Sequence, residues 1–145
     1  MIAAIHKKNL LLLPLLVCFS AFAQKKMQAD VVIIGGGTGG TAAGIQSARS
    51  GASTIIIEST PWLGGMISAA GVSAIDGNHR LPSGLWNEFR EGLYKVYGGP
   101  KAVETGWVSN TQFEPRVADS MFKVMAVKEK KLTVLFRHSF LSLTK

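Results

Sequence analysis

The stretch from Asp30 to Glu58 constrains this chain more than any other. Asp30-Val31-Val32-Ile33-Ile34 is a near-continuous run of β-branched apolar residues. Such a run reads as a strand buried on both faces, as in a parallel sheet. Gly35-Gly36-Gly37-Thr38-Gly39-Gly40 follows without a break, and then a small-residue helix from Thr41 to Ser50 carrying Ala42, Ala43, Ile45 and Ala48. Gly51 ends the helix, and Ser53 to Ile57 is a second β-branched run that closes on Glu58. Strand, glycine turn, helix and strand make a βαβ unit, whose crossover is expected to be right-handed. The fold class is therefore α/β, a parallel sheet with flanking helices.

The glycine turn has the spacing G-x-G-x-x-G at Gly35, Gly37 and Gly40. Alone that pattern is weak, but here it stands between a strand and a helix, with an acid at the end of the next strand. Gly35 permits the tight turn out of the strand, Gly37 lets the backbone approach a pyrophosphate, and Gly40 lets the helix pack close to the strand. Thr38 and Gly39 lie between them at the helix N-terminus, where free N–H groups and the positive end of the dipole meet the phosphates. Gly44, one turn on, extends the small face. Glu58 stands where a carboxylate accepts hydrogen bonds from the adenosine ribose hydroxyls. The alternative for Glu58 is a solvated strand-end acid, but fingerprint and spacing agree on the binding role. A carboxylate there repels a 2′-phosphate, so the expected ligand is FAD or NAD and not NADP, on a Rossmann-like FAD/NAD(P)-binding fold. A nucleoside-triphosphate P-loop is excluded, because G-K-[ST] is missing.

Beyond Glu58 the sequence predicts an irregular glycine-rich segment, Ser59 to Leu81. Ser83 then caps a helix running to Tyr97, with Leu85, Trp86, Phe89, Leu93, Val96 and Tyr97 on one face. Gly98-Gly99-Pro100 stops it. Pro115 is placed to open another helix, with Val117, Ala118, Met121, Phe122, Val124 and Met125 as its apolar face. Leu132 to Phe136 reads as a third strand continuing toward Leu143.

With 145 residues, 47% hydrophobic and 17% charged, the chain has room for one modest globular domain. Residues 1–23 read as a secretory signal peptide: Lys7 and Lys8 form the basic region, Leu10 to Phe22 the apolar one, and Ala21-Phe22-Ala23 an A-x-A cleavage site. That assigns 24–145 to a partial dinucleotide-binding domain and predicts an exported protein, periplasmic or extracellular, with no stable membrane span after cleavage. The signal has no arginine pair, so export is expected to precede cofactor loading. Cys18 is the only cysteine, which excludes disulfides and cysteine-ligated clusters from the mature segment. The net charge of +7 is spread out. Lys128, Lys130 and Lys131 cluster at a helix end without interleaved aromatics, so no nucleic-acid partner is expected. His79 and His138 lack further ligands at suitable spacing, so no metal site is expected.

The run from Asp30 to Glu58, followed by Trp62-Leu63-Gly64-Gly65-Met66, resembles the opening of the FAD-dependent oxidoreductase family common among exported bacterial proteins. The resemblance implies FAD as cofactor, with the backbone at Gly64, Gly65 and Met66 approaching its phosphates and ribityl chain and Ser68 lying toward the flavin. Phe113-Glu114-Pro115-Arg116-Val117-Ala118 is similar to a helix start that recurs in the family just before the third strand. The residue after that strand, about Phe140, would then contact adenine through its main chain. Members of the family are several times longer and add a substrate domain, which implies that this chain is the N-terminal portion, a truncated or fragmentary product. The second strand is expected between the first and third, leaving the first with an open, aggregation-prone edge. The implied activity is redox chemistry on a small-molecule substrate through bound flavin, a step the cofactor performs while the protein binds and orients it. No catalytic residue, substrate or oligomeric state is legible. Two alternatives are a non-catalytic remnant that binds FAD or ADP, and an exported NAD-dependent dehydrogenase.

Overall fold

The computed structural model describes residues 25–105 and 109–144. The signal-peptide assignment to 1–23 and Cys18 lie outside the described residues.

Three parallel strands form the main sheet: β1 (Val31–Ile34), β2 (Thr54–Glu58) and β5 (Leu132–Phe136), in the order β1-β2-β5. Register runs Ile33 to Ile56 and Ile56 to Val134, so these three side chains share one face. Helix α1 (Thr38–Arg49) lies on that face, close enough that Gly44 touches Ile33 and Ile56. Helix α3 (Pro115–Val127) packs beside it, and α2 (Gly84–Tyr97) packs on α3. The core is Ile45, Leu63, Phe89, Leu93, Phe122 and Met125, with Leu132, Val134 and Phe136 against it. Phe89 stacks on Phe122 at 4.8 Å and meets Phe113 edge-on at 5.6 Å, so an aromatic group joins α2, α3 and the residue that leads into α3.

The second strand does lie between the other two. The first is not buried on both faces: Val32 and Ile34 are each 53% exposed. The reason is positional: among the described residues β1 is an edge strand, and the helices cover its Ile33 side. The termini of the strands are tied by polar groups. Asp30 accepts from the Ser53 N–H at 2.8 Å and the Ser53 hydroxyl at 2.7 Å, joining the start of β1 to that of β2. Arg49 at the end of α1 pairs with Glu88 of α2 at 2.8 Å and Glu129 beyond α3 at 2.7 Å.

Helix α1 begins at Thr38 rather than Thr41, because Gly37 is its N-cap. Helices α2 and α3 start where the sequence predicts, and α2 also stops there, ending where Gly98 turns left-handed at φ 88°. Their apolar faces are narrower than predicted: Val96 and Val124 are about half exposed. The residues that α3 buries, Ala118, Phe122, Met125 and Ala126, follow 4-3 spacing, and Val124 falls off that stripe. The segment after Glu58 is more ordered than the sequence predicts. It contains a 3₁₀ turn at Gly65–Ile67 and a short strand β3 (Ala74–Asp76), which pairs antiparallel with β4 (Ser109–Gln112). Strand β5 stops at Phe136 and does not continue toward Leu143, since Arg137 turns left-handed at φ 59°.

Candidate functional site

The glycines divide into two physical groups. Gly35 has φ 94° and turns the chain out of β1, its N–H donating to the Ile57 carbonyl at 2.8 Å. A Cβ on Gly40 would stand 2.0 Å from the Gly35 carbonyl oxygen, and one on Gly44 2.5 Å from Ile56. These positions are glycine because helix and strand touch. Gly36, given no role by sequence spacing, belongs with them: a Cβ there would meet Leu63 at 2.8 Å and the Glu58 carboxylate at 3.1 Å. Gly37 and Gly39 differ, because a Cβ on either meets nothing within 4 Å. They border open space in front of α1.

That space faces unpaired donors. The first-turn N–H groups of a helix have no intrahelical acceptor, and α1 has neither a side-chain cap nor an acid in its first turn. Thr38 does not cap its own helix. Its hydroxyl donates instead to the Gly64 carbonyl at 2.7 Å.

Glu58, at the end of β2, is 8% exposed. Its carboxylate accepts from the Gly36 N–H at 2.6 Å and the Thr60 N–H at 2.7 Å. Burial pushes the carboxyl pKa up, but the Thr60 N–H and hydroxyl, the Gly36 N–H and the Ser59 hydroxyl together outweigh burial and hold it below the ordinary value of 4.5. The acid is therefore ionised at neutral pH and aligned by its own loop. Of the carboxylate's roughly four acceptor sites, the Gly36 and Thr60 N–H groups fill two at short range, and the Ser59 hydroxyl, at 3.5 Å, makes the longest contact.

The second glycine pair docks onto the first loop. Gly64 donates its N–H to the Gly36 carbonyl at 2.8 Å, and Gly37 and Gly64 form an isolated parallel bridge. Gly64 and Gly65 have φ 105° and 54°. A Cβ on Gly65 would lie 2.9 Å from the Gly37 Cα, so the two backbones touch. Met66 follows, its side chain exposed. Two residues of α3 that sequence spacing did not single out hold this segment. Asp119 accepts from the Leu63 N–H at 2.8 Å, while Lys123 donates to the Pro61 carbonyl and pairs with Asp119, both at 2.7 Å. Only a helical i,i+4 Asp-Lys pair hinted at them, and such pairs are common on solvated faces.

Other residues are placed differently. Ser68 is 2% exposed and donates to the Leu63 carbonyl at 2.6 Å, so its hydroxyl is turned inward to brace the loop. Phe140 lies in the irregular tail after β5, 46% exposed and without a hydrogen bond to the glycine loop. The chain nearest Glu58 in that tail is His138, whose N–H donates to the Glu58 carbonyl at 3.0 Å. Arg116 is an exposed first-turn residue of α3. His79 stands 3.4 Å from the Asn110 amide. Among the described residues no three His, Cys, Asp or Glu side chains gather to hold a metal, and no helix is long and apolar enough to cross a membrane.

A parallel βαβ unit, a glycine turn opening on unpaired helix N–H groups, and an aligned acid at the next strand end define a dinucleotide-binding α/β domain. Residues 30–145 match the family described as FAD dependent oxidoreductase, and the chain belongs to that family. No curated protein matches the chain. Among solved structures it is similar to THI4 of Thermovibrio ammonificans, at 18% identity over 92% of this chain and 48% of that one, with a TM-score of 0.50. It is also similar to AlpK, at 12% identity over 78% of this chain and 24% of that one, again with a TM-score of 0.50. These likenesses show the fold. The chain spans about half the length of the THI4 structure and about a quarter of AlpK. The cofactor of the family is FAD, and the open space at Gly37 and Gly39 beside unpaired donors fits a diphosphate.

Proposed function

We propose that this chain forms the adenosine-diphosphate side of the FAD site in an exported oxidoreductase acting on a small-molecule substrate. The N–H groups at the start of α1, with Gly37 and Gly39, hold the diphosphate, and Glu58 accepts from the adenosine ribose. Gly64, Gly65 and Met66 run along the diphosphate and the ribityl chain. Ser68 shapes this segment from inside, and Thr38 ties it to the helix start. The tail from His138 toward Phe140 passes the adenine end. Bound flavin supplies electron transfer with the substrate. The chain's own residues bind and orient it, and Glu58 stays ionised to do so. Export rests on the sequence of residues 1–23.

One observation carries the reading. The Gly64–Gly65 turn is built onto the Gly36–Gly37 backbone, which sets a second glycine turn directly beside the unpaired N–H groups of the helix start. The test is the absorbance spectrum of the purified chain after incubation with FAD and removal of free flavin, beside Glu58→Ala. Retained yellow flavin, weakened in the variant and not displaced by excess NAD, supports the reading. A folded chain that keeps no flavin, or that prefers NAD, refutes it.

A further inference from the structure

Arg90 stands in the second turn of α2 and is only 5% exposed. Arginine has five N–H donors and does not lose its proton in proteins. Nη2 uses its donors on the Leu81 carbonyl at 3.1 Å and the Asn87 side-chain oxygen at 2.7 Å. Nε and Nη1 are buried and have no acceptor. None of the ion pairs among the described residues includes Arg90. The rings of Trp86 and Tyr94 stand 5.7 Å and 5.8 Å from its Cζ. Ring faces attract the charge but leave in-plane N–H groups unbonded. A buried, unpaired guanidinium strongly destabilises a fold unless an anion meets it.

The same end of the helix carries a second positive field. Ser83, the N-cap of α2, makes no side-chain capping bond, and the first turn holds no acid. The bond from Nη2 to Leu81, two residues before Ser83, places the guanidinium at this terminus. From Gly77 to Asn87 the sequence contains no acidic residue, while His79 and Arg80 add basic groups. Glu88, next in line, is already engaged by Arg49. Gly77, Asn78, Arg80 and Leu81, just ahead of the helix, are all exposed.

We infer that Arg90 and the N-terminus of α2 form a binding site for the carboxylate of a small organic acid, separate from the glycine-loop site. The planar pair of oxygens suits the guanidinium, and the unpaired α2 N–H groups favour negative charge. The inference stands whether or not the chain binds FAD.

The test is thermal unfolding of the full chain, with and without FAD, titrated with sodium succinate or acetate against sodium chloride at matched ionic strength. The native chain should show a saturable rise in Tm with the organic acids. Arg90→Lys should need at least tenfold more acid for the same rise. Arg90→Met, which keeps the volume and removes the charge, should show no rise and should be at least as stable as the native chain without acid. A blocked tripeptide with a central glutamate, run in parallel, reports whether an acidic side chain is accepted in preference to a free acid. The proposal is overturned by no saturable rise, by an equal rise in Arg90→Met, or by inorganic phosphate acting as strongly as the carboxylates.

Discussion

Replacing Gly37 or Gly40 by alanine separates a glycine kept open for a ligand from one kept small for packing. At Gly40 the new methyl would lie 2.0 Å from the Gly35 carbonyl oxygen, more than an ångström inside van der Waals contact. That oxygen is backbone in a tight turn, so relief requires α1 to move off β1. Alanine's better helix propensity returns about 1 kcal/mol. Overpacking costs about 1–3 kcal/mol in ordinary cores, and a clash against backbone belongs at or above the top of that range. The net expectation is a loss of about 2–4 kcal/mol, or about 10–20 °C in Tm for a domain of this size. Gly37 has φ −60° and ψ 178°, which alanine adopts freely, and no neighbour within 4 Å. The lower preference for alanine at an N-cap roughly offsets the smaller entropy of its unfolded chain. Gly37→Ala should therefore leave the free chain within about 0.5 kcal/mol of native and weaken FAD binding at least tenfold, its methyl standing where the diphosphate approaches. The assay is thermal unfolding of the flavin-free chains, with flavin-fluorescence quenching to give Kd. The reasoning is refuted if the two variants lose stability equally, or if Gly37→Ala binds FAD as well as the native chain.

Glu58→Gln places an amide NH₂ against one of the two N–H donors that its carboxylate now accepts. The loss of a charge-assisted bond should cost about 2–3 kcal/mol, read by denaturant unfolding, together with weaker FAD binding. Because the folded carboxyl pKa is depressed below 4.5, its stabilising contribution is fully present above the unfolded value and is lost as pH falls through the folded one. An acid titration of unfolding should show this loss in the native chain below about pH 4.3 and a flatter acid limb in Glu58→Gln. Ser68→Ala removes the bond to the Leu63 carbonyl and should lower stability by about 1–3 kcal/mol, while FAD binding to the chain that remains folded stays within about threefold of native. A much larger loss of affinity would mean that the hydroxyl faces the flavin after all. Asp119→Ala frees the Leu63 N–H and unpairs Lys123, so it should weaken FAD binding more than Asp119→Asn, which keeps an acceptor for Leu63. Equal effects in the two variants would show that the ion pair, and not the bond to Leu63, holds the loop.

Much of this geometry was written locally. The β-branched runs, the glycine turn and the residues Ser83, Gly98 and Pro115 each act through their own backbone preferences, so β1, β2, β5 and the three helices fall close to where spacing places them. The pairing of β3 with β4 was not legible, because Ser109-Asn110-Thr111-Gln112 has little apolar content and its partner is more than thirty residues away in sequence. The same holds within the site. Gly35, Gly40 and Glu58 follow from the βαβ unit alone. Gly36 depends on Leu63 and Glu58 crossing above it, and the bracing of the second loop depends on α3, which enters the chain more than fifty residues later. Ser68 shows the opposite limit. Resemblance gave it a position in the chain, but its side-chain direction is settled by which carbonyl lies within reach.

The hydrogen bond from His138 to Glu58 has a consequence for the order of folding. Glu58 is gripped from its own loop and from two distant points in the chain: Thr60 and Gly36 hold its carboxylate, and His138 holds its carbonyl. The last contact closes a loop of about eighty residues, whose entropic cost grows only slowly with length but which cannot form until β5 has paired with β2. A growing chain therefore makes the glycine turn early and completes the surroundings of its acid late, when residue 138 arrives. The ribose end of the site should mature only once β5 has joined β2, so cofactor capture reports that pairing and not merely formation of the βαβ unit.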